Sequence, residues 1–138
     1  MSAFHRKTHR IVVMVLAIST TMLLFATPAF APTSTNNMAV ACDGVTIKSG
    51  VTVAHDPSGT FKIKQNSADP ASSTWVSGRS ANGNDLSFQL VSNGVTATWT
   101  SVIANNYTVR AYRNGGFQCN GGLPGWGNYT LNYTVTYN

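Results

Sequence analysis

His55 stands beside Asp56, and a histidine next to a carboxylate is the first place to look for acid–base chemistry. A hydrolytic site there would also need a serine within reach, and no G-x-S-x-G turn occurs in the chain. Asp56 opens the run Asp56-Pro57-Ser58-Gly59, whose turn chemistry accounts for it without catalysis. The remaining acids, Asp43, Asp69 and Asp85, also fall at turn-like positions, and the chain contains no glutamate. A pair of carboxylates for glycoside cleavage would have to come from these four, and no D-x-D-x-D loop offers a calcium site. The expectation is therefore a protein that is not an enzyme, with no catalytic residue, no metal and no cofactor.

Cys42 and Cys119 are the only cysteines. Too few ligands surround them for a metal site, and they do not form a C-x-x-C pair. In an exported chain an even count reads as a disulfide, and two cysteines allow one intramolecular pairing. The bridge would close a loop of about 77 residues and, by chain entropy, contribute roughly 4–5 kcal/mol. Cys119 lies inside the most distinctive stretch of the sequence, Asn114 to Asn128, which reads NGGFQCNGGLPGWGN. Six of its residues are glycine, so a bridge is what would hold it in shape. Trp126, flanked by Gly125 and Gly127, could offer its ring to a sugar or a partner protein, or fold back as a lid on the core. The expected binding residues are Trp126, Phe117, Asn120, Asn128, Tyr112 and Arg113.

The elements that position these residues follow from composition and period. The chain has 138 residues, 43% of them hydrophobic and only 9% charged. One modest domain is all that this length supports. Scarce charge excludes a charge-laced helical bundle, and 10% aromatic residues exclude a disordered chain. A basic leader, His5-Arg6-Lys7 with His9 and Arg10, precedes the uncharged run Ile11 to Ala26. Small residues follow, ending in Ala29-Phe30-Ala31. This is the plan of a secretory signal peptide over residues 1–31, and the run is short for a membrane span. Ala39-Val40-Ala41, directly before Cys42, offers a second cleavage point that would resemble lipoprotein processing, with Cys42 lipidated at the cell surface. Residues 32–41 then read as a polar linker or propeptide, and 42–138 as the folded domain. Past the leader six cations face four aspartates, a net charge of +2, so the basic character belongs to the leader. A nucleic-acid partner loses its main support.

From Val45 onward the hydrophobic period is two. Val45 and Ile47, Val51 and Val53, and Phe61 and Ile63 alternate with polar residues. Asn66 to Ser73 reads as a loop, and Trp75 as the centre of a short core strand. Leu86, Phe88 and Leu90 alternate between the turn dipeptides Asn82-Gly83 and Asn93-Gly94. Ala97 and Trp99, then Tyr107, Val109 and Ala111, continue the pattern. Tyr129, Leu131, Tyr133, Val135 and Tyr137 fall on one face of a last strand. Thr96, Thr98 and Thr100, like Thr130, Thr134 and Thr136, make wet strand faces; such rows also suit ordered water or polysaccharide. The fold class expected is all-β: a small antiparallel sandwich of seven or eight strands, or a barrel. Tyr107-Thr-Val-Arg-Ala-Tyr followed by Gly127-Asn-Tyr-Thr-Leu resembles the last strands of secreted bacterial β-sandwich accessory domains.

The function expected is a secreted, monomeric, non-catalytic binding module for carbohydrate or a cell-envelope polymer. The alternative is a secreted effector, an antimicrobial protein or enzyme inhibitor, presenting residues 114–128 to a protein target. Neither reading includes a nucleic acid or a membrane span in the mature chain.

Overall fold

The computed structural model describes residues 31–69, 73–113 and 127–137. Eight strands follow in order: β1 (Thr33–Ala41), β2 (Lys48–His55), β3 (Gly59–Asp69), β4 (Ser73–Ser80), β5 (Gln89–Ser92), β6 (Thr96–Val102), β7 (Asn105–Tyr112) and β8 (Asn128–Thr136). They form two four-stranded antiparallel sheets, ordered β1-β8-β3-β6 and β2-β7-β4-β5. No helix occurs among the described residues. The pairing is nested. β1 pairs with β8, β2 with β7, β3 with β6 and β4 with β5, as in one long hairpin. Rolling that hairpin up adds the pairs β3–β8 and β4–β7. This is the jelly-roll arrangement, two sheets sharing one core.

The core forms where the period-two residues of both sheets meet. Phe61 and Ile63 from β3, Tyr107, Val109 and Ala111 from β7, and Leu131, Tyr133 and Val135 from β8 are wholly buried. Trp99 and Ala97 join them, as the alternation predicts. Asn82-Gly83 and Asn93-Gly94 are turns, with Gly83 and Gly94 both at positive φ.

Five expectations are corrected. Residues 32–41 are not a linker, because Thr33–Ala41 is a strand paired along its whole length with β8. Backbone pairing and the burial of Met38 and Val40 hold a segment whose first half has no apolar residue. Among the described residues the fold therefore includes Thr33–Ala41 as well as the residues from Cys42 onward. Val45 and Ile47 do not start a strand. Asp43 accepts hydrogen bonds from the backbone N–H groups of Val45 and Thr46 and from the Thr46 hydroxyl, and this local turn leaves both aliphatic residues exposed. Asn66 to Asp69 belongs to β3 rather than a loop, continuing past a bulge at Asn66. Leu86 and Phe88 precede β5 instead of forming it, and Leu90 within it faces outward. Trp75 is only half-buried, because the neighbours that turn inward on β4 are Thr74 and Val76.

Candidate functional site

The two sheets have chemically different outer faces. On sheet β1-β8-β3-β6 the outward residues are mostly polar. Thr35 and Thr134 share a hydrogen bond across β1 and β8 at 2.9 Å, and Asn132 donates to Asn37 at 2.7 Å. Asn66, thrown outward by its bulge, donates to Asn132 and Thr134. Lys62 and Lys64 stand beside this lattice. It is the ordinary wet face of a sheet, stiffened by its own side-chain hydrogen bonds.

Sheet β2-β7-β4-β5 carries rings instead. Register places Trp75 opposite Tyr112 on one side and opposite Leu90 on the other. The Trp75 and Tyr112 rings lie within 13° of parallel, with centroids 6.2 Å apart. Phe88 meets Tyr112 edge to face at 4.9 Å. Trp75, Tyr112 and Phe88 are each half-buried, and Leu90 is 52% exposed. Together they form an aromatic and aliphatic ledge across β7, β4 and β5.

Polar groups frame the ledge. The Arg110 guanidinium lies 5.1 Å from the Phe88 ring centroid, a cation–π contact. It is held there by Asp85 at 3.2 Å and by a hydrogen bond to the Ser77 hydroxyl. Ser77 in turn donates to the Leu86 carbonyl, which ties the 84–88 segment to β4. Arg113 donates to the Ser73 carbonyl and, at 3.0 Å, to the Ser73 hydroxyl. The rings therefore stand in a frame of fixed donors.

Of the residues expected to bind, Tyr112 lies in this ledge and Arg113 at its border. Asn128 opens β8 on the other sheet, paired with Ala41, at the end of the sandwich where residues 42–47 cross between sheets. Trp126, Phe117 and Asn120 lie outside the described residues, as does Cys119. Cys42 is completely buried, and its N–H donates to the Gly127 carbonyl at 3.1 Å. No free cysteine occurs among the described residues. Trp75 and Phe88 are members of the ledge that sequence reasoning did not place there.

No family model matches this chain, nor does any curated protein or solved structure.

The ledge offers stacking and hydrogen bonding rather than bond-making groups. His55 is packed inside the sandwich, edge-on to Phe61 and Tyr107, with a ring nitrogen 3.2 Å from the Val102 carbonyl. Its neighbour Asp56 is exposed. Among the described residues, no three of His, Cys, Asp and Glu converge to hold a metal ion. An open cleft of about 530 Å³ separates residues 84–87 from β6, walled by Asp85, Ser87, Thr98 and Thr100. No helix among the described residues is long and apolar enough to cross a membrane.

Proposed function

We propose that this chain is a secreted, non-catalytic binding module for a neutral carbohydrate or cell-envelope polymer. The ledge of Trp75, Tyr112, Phe88 and Leu90 is its contact surface. The observation that carries the reading is the near-parallel Trp75–Tyr112 pair on an outward sheet face. Apolar side chains gathered on the surface of a small domain, away from its core, mark a place where something binds. Sugar rings suit this surface: their C–H faces stack on aromatic rings and their hydroxyl edges reach flanking donors. Arg110, Arg113 and Ser73 supply that flank. A non-ionic ligand also fits a domain with so little charge.

Export and the disulfide belong to the same proposal. Cleavage after Ala31 leaves β1 whole, whereas cleavage before Cys42 removes it, so the first boundary is the one consistent with the fold. A bridge from Cys42 to Cys119 would anchor the glycine-rich segment that follows Arg113.

The test is retention of the exported protein on insoluble chitin, cellulose and peptidoglycan, with competition by soluble fragments of each. Retention on one of them that its own fragments release is the expected result. Failure on all three, with capture of a single protein instead, would replace this reading by the effector.

A further inference from the structure

Among the described residues the sandwich leaves four strand edges, and three are blunted. β5 has only four residues. β2 carries an extra residue between Ser49 and Thr52, where the ladder with β7 shifts. β6 bulges between Trp99 and Val102, with Ser101 in the left-handed region at φ 56°. Bulges and short length are the devices by which sheets avoid pairing with other chains. β1 has none of them. Its nine residues, TSTNNMAVA, contain no charge, proline or glycine. Its register with β8 runs from Thr33 to Ala41 without a shift. Among the described strands β1 pairs only with β8, so its other edge carries a row of backbone donors and acceptors without a strand partner.

We infer that this edge is an interface between two copies of the chain, joined as antiparallel β1 strands about a two-fold axis. The composition of β1 argues for itself as partner. On β8 it already pairs with a strand bearing the same outward series: Thr33 faces Thr136, Thr35 faces Thr134 and Asn37 faces Asn132. Two of these pairs are joined by side-chain hydrogen bonds. A second β1, run antiparallel, presents the same threonine and asparagine side chains in reversed order. With the axis at Thr35, Thr33 of each copy faces Asn37 of the other, and Ser34 faces Asn36. No like charges meet, and the two sheets merge into one of eight strands. A two-fold contact of this kind closes on itself and stops at two copies. The proposed dimer departs from the monomer expected from sequence.

Sedimentation of the exported protein over a concentration series tests the inference, together with Thr35→Lys and Thr35→Glu. Thr35 is exposed, so neither change touches the core, and an unchanged thermal midpoint checks that each variant folds. The wild type should sediment at twice the chain mass. Each variant alone should fall to half that mass, because the axis sets like charges against each other. An equimolar mixture of the two variants should return to the dimer. A wild type that stays monomeric at high concentration, a dimer that survives in both variants, or a mixture that remains monomeric would each overturn the interface.

Discussion

Gly50 sits where β2 bulges, and a Cβ built on it would lie 2.3 Å from the Tyr133 hydroxyl oxygen. That hydroxyl is fixed by the Val51 N–H, which donates to it at 3.0 Å. Gly50→Ala should therefore cost about 1–3 kcal/mol in urea unfolding, the range for overpacking a fitted site. The cost should shrink in a Tyr133→Phe background, where the obstructing oxygen is gone. Costs that simply add, within about 0.5 kcal/mol, would show that the two residues are not coupled. At this scale the sequence was legible for the inward residues of β3, β6, β7 and β8 and misleading on the parity of β4. The run Thr74-Trp75-Val76 can bury either set of alternate residues. Hydrophobicity alone favours burying Trp75. The inward choice is instead made by Thr74, whose hydroxyl bonds the Tyr129 hydroxyl at 2.8 Å, and by Gly78, which leaves room for Leu86. That parity moves Trp75 onto the outer face, and with it the candidate site.

Among the elements, β1 shows most clearly what alternation can and cannot reveal. Its first five residues, Thr33 to Asn37, contain nothing apolar, so they read as a linker. Their strand character comes from the ladder with β8, which is distant in sequence and invisible to a local pattern. The later strands were legible because each has one apolar face on the shared core. β1 still contributes Met38 and Val40 to that core, each worth about 1.5–3 kcal/mol of burial. A chain beginning at Pro32 should thus unfold in one cooperative transition. A chain beginning at Cys42 should lose that transition, because β8 and the core beneath β1 would be open to water. Equal circular dichroism spectra and urea midpoints for the two chains would contradict the assignment of β1 to the folded unit. Asn66 teaches the same lesson for β3: one bulged residue breaks the period and makes a strand look like a loop.

For the molecule as a whole, burial of tyrosines in one core has a consequence at alkaline pH. Tyr107, Tyr129 and Tyr133 have their phenol pKa values raised, chiefly by desolvation of the charged form. Above about pH 10 the unfolded chain has given up phenolic protons that the folded chain retains. Stability must then fall as pH rises, while below that range these groups leave it unchanged. Urea midpoints should stay flat on this account from pH 8 to pH 9.5, by rough bounds, and decline beyond. A flat profile through pH 11, about one unit above the free phenol, would contradict it. The same view of the whole domain sets a hydrogen-bonded threonine and asparagine face against a ringed one, and the second is the face proposed to bind the ligand. The most direct test compares Trp75→Ala with Trp99→Ala on the polysaccharide that retains the wild type. Trp99 is 7% exposed and packs in the core, so its loss should lower stability by about 3–5 kcal/mol. Trp75→Ala should weaken polymer binding by about 1–3 kcal/mol, as removal of a contact aromatic does, with little change in the thermal midpoint. Undiminished binding by a folded Trp75→Ala protein would contradict the ledge as the binding surface.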